Sequence, residues 1–331
     1  MNSRIMLYRK FVLSIVVFTL LAGCASIPKS VSNEFSGVWK LQEAYTTDYT
    51  TANNYLVIYA DDTAEIWTDK GLTILAVLEV DNEGLMHWVN TQTPEDPSRD
   101  GSGFIVEFDR NGDLLSGVYY PEDNSWRWEP VFDRVSALPL FTYSNNFEDN
   151  TLKYINSQEQ EGSEAEWQII DEPGNFGNKI LSPLYADENS DAEIFIHPGK
   201  NFSIEFDMKQ TKSIDSNESC WMALDFLTYT RPGDNYTPFW LNSDSPGSFS
   251  SGDRGDIYSE LTYSTGMEWD NWYTLKVTVR EGKYFQFFLD GVLFGEREVE
   301  ETLFTGFKIE GNPDTGIWYM DNLNISWNEV D

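Results

Sequence analysis

From Phe35 onward the chain is built of short apolar or alternating runs separated by Gly, Pro, Asn and Asp. Tyr55-Leu56-Val57-Ile58-Tyr59 is one run, and 63–67, 72–80, 85–90, 103–109, 114–120 and 126–135 follow. The turn signals between them are Asp61-Asp62, Asp81-Asn82-Glu83-Gly84 and Arg110-Asn111-Gly112-Asp113. No helical periodicity persists beyond about ten residues, the length a helix assignment needs. The pattern predicts an antiparallel all-β domain over 34–137, with a seam at Ala137-Leu138-Pro139-Leu140.

A second set of strands follows the seam. Phe202-Ser203-Ile204-Glu205-Phe206-Asp207-Met208 alternates strictly, 273–279 and 284–289 run apolar, and Asp290-Gly291 is a hairpin signal. Regular strands without helices predict a β-sandwich over 140–331. The longest irregular stretch is 228–259, which holds Pro232-Gly233, Pro246-Gly247 and Gly252-Asp253-Arg254-Gly255-Asp256. A loop of that length is expected to be functional, and its aromatics argue for order.

The first residues follow a different rule. Arg4, Arg9 and Lys10 form a basic start, 11–21 is apolar apart from Ser14 and Thr19, and Leu21-Ala22-Gly23-Cys24 closes the segment. That order is a secretory signal, and the apolar run is short of the roughly 20 residues that span a bilayer. Leu-Ala-Gly-Cys resembles the lipobox of bacterial lipoproteins. The resemblance implies a signal peptide over 1–23, lipidation of Cys24, a lipidated tether over 24–33 and membrane attachment through acyl chains. Ala25 follows the cysteine, and the absence of Asp there resembles lipoproteins sorted to the outer membrane, so the expected location is the cell envelope, on the outer membrane of a Gram-negative bacterium.

Charge narrows the partners. Cleavage before Cys24 removes three bases and no acid, so 19 bases face 55 acids and the net charge is near −36. Such a surface repels nucleic acid and anionic lipid, which leaves the membrane contact to the acyl group. Acidic excess also fits a salty habitat. Only Cys24 and Cys220 are present, so no intrachain disulfide is expected. His87 and His197 are too few and too far apart for a His-rich zinc site.

Two further resemblances concern the folded part. Phe35-Ser36-Gly37-Val38-Trp39-Lys40 opens the first domain, and Gly-x-Trp on a first strand is similar to the lipocalin-like barrels. The resemblance implies that the Trp closes one end of the barrel beneath a late-strand Arg, matched by position by Arg134. At about 100 residues a small or incomplete barrel is expected. The second domain resembles the concanavalin A-like jelly rolls (lectin, laminin-G-like and carbohydrate-binding modules). The matching pieces are Asn146-Phe147-Glu148-Asp149-Asn150, Trp272-Tyr273-Thr274-Leu275-Lys276-Val277, Phe285-Gln286-Phe287-Phe288-Leu289-Asp290-Gly291 and Tyr319-Met320-Asp321-Asn322-Leu323. This resemblance implies a structural calcium at Glu148, Asp149 and Asp321, an ion that needs six to eight oxygens.

It also implies glycan as the partner. Aromatic rings stack on sugar C–H faces while Asp, Asn and Arg meet the hydroxyls. Arg231, Asp234, Tyr236 and Trp240 supply both kinds in 228–259, with Trp221, Trp269 and Trp272 as further candidates. Jelly-roll glucanases carry Glu-x-Asp-x-x-Glu, whereas this chain has Glu205-Phe206-Asp207 followed by Gln210, so the general acid/base is missing. The expected function is non-catalytic carbohydrate binding by a lipid-anchored envelope lipoprotein. A glycoside hydrolase or lyase with a non-standard site is the alternative, and a structural envelope scaffold is another.

Overall fold

The computed structural model describes residues 34–45, 54–93, 97–158, 166–184, 190–212, 222–231, 234–245, 247–253, 256–311 and 316–328. Cys24, the signal segment, the tether, Cys220 and Trp221 lie outside them.

The first unit has eight strands: β1 (Gly37–Leu41), β2 (Tyr55–Ile58), β3 (Thr63–Thr68), β4 (Gly71–Val80), β5 (Met86–Gln92), β6 (Gly103–Asn111), β7 (Leu114–Tyr120) and β8 (Val131–Val135). They pair in chain order and β8 returns to β1, so the barrel is closed rather than incomplete. The last run is shorter than the sequence pattern predicts, because 126–130 leaves the strand after a single bridge between Tyr119 and Trp128. Alternation sends Trp39, Leu56, Ile58, Ala64, Ala76, Leu78, Trp88 and Phe132 inward, where they pack as one core. Eight strands enclose just enough space for side chains, and here large rings fill it. Trp39 is fully buried and its Nε1 donates to Phe35 O at 2.9 Å. The Arg134 guanidinium lies 5.7 Å from the Trp39 ring centroid and that of Arg110 5.5 Å, the barrel-end closure that the Gly-x-Trp resemblance implies.

The second unit comprises β9 (Phe141–Asn145), β10 (Ile155–Gln158), β11 (Glu166–Glu172), β12 (Asn175–Leu184), β13 (Ser190–Ile194), β14 (Phe202–Lys212), β15 (Met222–Arg231), β16 (Asp234–Ser245), β17 (Ser248–Asp253), β18 (Asp256–Ser264), β19 (Trp272–Arg280), β20 (Tyr284–Leu289), β21 (Val292–Glu298), β22 (Gly306–Gly311) and β23 (Gly316–Trp327). They form a seven-stranded sheet, β10-β13-β22-β15-β16-β17-β18, and an eight-stranded one, β11-β12-β23-β14-β19-β20-β21 plus β9 beside β23. The chain is therefore all-β, a closed antiparallel barrel followed by a jelly-roll-like sandwich. Phe202, Ile204, Phe206 and Met208 of one sheet meet Leu224, Phe226, Phe239 and Phe307 of the other in a dry core. Phe226 is edge-on to both Phe285 and Phe307, at 5.1 and 5.8 Å.

The stretch 228–259 is not a loop. Its described residues fold as the β15–β18 meander that extends the seven-stranded sheet.

The two units share a core. All four residues of β2 are buried, because Leu56 and Ile58 face the barrel interior while Tyr55 and Val57 face the sandwich. Trp67 stacks on Phe141 and Phe141 on Trp327, at interplanar angles of 12° and 8°. The β3–β4 turn docks by backbone bonds: His197 N donates to Lys70 O and Leu72 N to His197 O, both at 2.7 Å. Gly71 has φ +103°, and a Cβ there would lie 2.0 Å from His197 O, so only glycine lets the two backbones meet.

Candidate ligand-binding face

The site is built by alternation in neighbouring strands of the seven-stranded sheet. Met222, Leu224 and Phe226 of β15 point into the core, so Ala223 and Asp225 point away from it. Likewise Phe307 and Ile309 of β22 face in and Lys308 and Glu310 out, while Phe239 and Leu241 of β16 face in and Trp240 and Asn242 out. Register then lines up one row across five strands: Glu193, Lys308, Asp225, Trp240 and Gly252. The adjacent row is Glu310, Ala223, Asn242, Ser250 and Thr262.

Trp240 is half-buried. A Cβ on Gly252 would fall 2.4 Å from Trp240 Cζ2 and 2.7 Å from Cε2, so the indole occupies the space a side chain would take there. Beside it, Asp225 and Ser250 are each only 3 % exposed although both point away from the core, so this face is recessed. Thr237 Oγ1 donates to Asp225 Oδ2 at 3.2 Å, and Lys308 Nζ sits 3.7 Å from the same oxygen and in a short ion pair with Glu310.

Of the residues singled out by sequence, Trp240 is therefore placed on a strand of this face rather than on a loop. Arg231 and Asp234 are in register at the end of the β15–β16 hairpin, and Tyr236 is in register with Thr228; their side chains lie outside the described part. Trp269 packs against the core, and Trp272 is committed elsewhere.

That second cluster, on the outward face of the eight-stranded sheet, went unnoticed in the sequence. Glu172 accepts from Lys209 Nζ and Trp272 Nε1, both at 2.8 Å, and from Asn175 and Asn178 at 3.0 and 3.1 Å. Lys209 Nζ also lies over the Trp272 and Tyr319 rings, at 4.9 and 5.3 Å. Burial alone would raise the Glu172 pKa, but the four donors outweigh it and hold the carboxyl at about 2. A carboxylate so fully engaged is a structural anion.

The acids proposed for calcium stand near this cluster without forming a coordination shell. Glu148 Oε1 accepts from Lys179 N, and Asp149 Oδ1 closes its own turn onto Thr151. Asp321 accepts from Asn322 N and from Asn178 Nδ2. Burial raises the Asp321 pKa; the bonds from Asn322 N and Asn178 oppose that, while Asp207 and Glu148 add to it. Among the described residues no three acid, His or Cys side chains converge to hold a metal.

Nor do the acids pair for hydrolysis. Asp207 and Asp321 are cross-strand partners, but Asp207 is bonded by Thr274 and Asn322, while Glu205 faces Lys276 at 3.6 Å. Gln210, where the glucanase motif has its last Glu, is fully buried and donates to Ser243. A cleft of about 510 Å³ along β19–β21 is lined by Arg280, Tyr284, Gln286, Glu296 and Glu298. Arg280 and Glu296 are both bonded to Gln286 there, and Glu298 is paired with Lys283, so these side chains are already engaged with one another.

No family model and no curated protein matches this chain. Among solved structures it is similar to a carbohydrate esterase from the Shiga toxin-encoding bacteriophage phi24B, at 14% identity and TM-score 0.41 over 57% of this chain and 97% of that one. It is similar to the exoplasmic/lumenal domain of VIP36 in a calcium- and mannose-bound form, at 13% identity and TM-score 0.40 over 54% and 84%. It is also similar to a Bacillus subtilis protein of unknown function with a galectin-like fold, at 11% identity and TM-score 0.40 over 55% and 94%. At that level of similarity nothing about ligand or activity passes to this chain.

Proposed function

We propose that this chain binds carbohydrate non-catalytically on the outward face of the seven-stranded sheet, as a lipid-anchored protein of the cell envelope. The observation that carries the binding reading is the Trp240 ring lying on Gly252. An indole packed against the strand offers rigid apolar surface to the C–H face of a pyranose, at little cost in side-chain entropy. Asn242, partly exposed in the adjacent row, offers amide N–H donors to hydroxyls. Arg231, Asp234 and Tyr236 extend the proposed site along the β15–β16 hairpin.

Titration of the mature chain with oligosaccharides chosen from a glycan array tests the reading. Trp240→Ala should abolish binding while circular dichroism and melting stay unchanged. Equal binding by the variant would refute the site. Anchoring rests on Leu21-Ala22-Gly23-Cys24. Cys24→Ser should move the protein from the membrane fraction to the soluble fraction.

A further inference from the structure

We infer that this face accepts uncharged saccharides and rejects anionic ones, such as uronic-acid, sialylated or sulfated glycans. The inference rests on the proposed binding role of the Trp240 face and adds the chemical class of its ligand.

The argument is one of charges along the two rows. Lys308 is the sole base in the rows through Asp225 and Ala223, and it is held between two acids. Its Nζ is 3.7 Å from Asp225 Oδ2 and forms a short ion pair with Glu310, and the three side chains are only 14, 4 and 14 % exposed. Glu193 is its cross-strand neighbour on the other side. Two carboxylates thus flank one ammonium and a third acid stands in register with it, so these positions carry a net negative charge before any ligand arrives. Recognition of a carboxylate or sulfate requires a cation with donors to spare, usually the bidentate guanidinium of Arg. An anion brought onto this recessed face would instead meet excess negative charge where water screens it poorly. The whole chain acts in the same direction, since 55 acids against 22 bases set up a field that repels polyanions. A neutral sugar carries no charge for this field to repel.

Matched pairs of glycans test this: neutral oligosaccharides against counterparts with the same linkage whose units are uronic acids or carry sulfate, titrated by calorimetry at low and high salt. The inference predicts binding of a neutral glycan that depends on Trp240, at least about tenfold weaker binding of its anionic counterpart at low salt, and a narrower gap at high salt as screening shortens the repulsion. Glu193→Lys should raise affinity for the anionic member. Trp240-dependent binding of anionic glycans as tight as neutral ones would overturn the inference and leave the site standing. Binding of neither class would overturn the site and the inference together.

Discussion

Trp240 and Gly252 are cross-strand partners, and the indole lies where a Gly252 side chain would stand, within 2.4 Å of the ideal Cβ position. The missing side chain is what leaves room for the ring there. Gly252→Ala should therefore tilt the ring off the sheet and weaken glycan binding at least tenfold, with a stability loss of about 1–3 kcal/mol from overpacking. Calorimetric titration beside urea unfolding checks both parts. Undiminished binding would mean that the ring orientation does not matter.

Glu172 predicts an acid-sensitive fold. Its carboxyl is held at about 2 in the folded chain against an ordinary 4.5. A depressed folded pKa contributes stability that is fully present above about 4.5 and is lost as pH falls toward 2. The shift corresponds to at most about 3 kcal/mol. Glu172→Gln should lose that amount at neutral pH, partly because Lys209 is left buried without its anion. The variant's unfolding free energy should then fall less steeply than the parent's between pH 4.5 and 2. Parallel pH curves would show that Glu172 carries no such load.

The barrel and sandwich should melt as one unit, because Tyr55, Val57, Trp67 and Leu72 belong to the sandwich core. Gly71→Ala places a Cβ 2.0 Å from His197 O and should undock the β3–β4 turn. Scanning calorimetry should show one transition in the parent and two in the variant. A single unshifted transition in the variant would contradict the shared core.

Because Asp149 is committed to its own turn and Asp321 to Asn322 and Asn178, EDTA should leave the melting temperature unchanged. A clear rise on adding calcium would show that Glu148, Asp207 and Asp321 rearrange around the ion.

Much of the fold was legible from alternation and from one motif. Gly37-Val38-Trp39 announces the barrel, and Arg134 lies on Trp39 as the resemblance implies. Closure by eight strands was not legible, because β2 and β8 are four and five residues long and give weak periodic signals. The β15–β18 meander was hidden for a different reason. Ser248-Phe249-Ser250-Ser251-Gly252-Asp253 has the composition of a loop, since its outward positions are small and recessed beneath the face that carries Trp240. Trp240 was singled out as a loop aromatic, yet it is strand alternation that turns it outward. The Glu172 cluster gave no local signal, because Lys209 and Trp272 reach it only through sheet pairing.

The measurement that bears most directly on the central claim is a titration of the mature chain and its Trp240→Ala variant with the neutral oligosaccharide that binds best on a glycan array. The account predicts saturable binding by the parent and none by a variant that melts at the same temperature. Equal affinity for the two proteins, or no glycan bound by the folded parent, would contradict it.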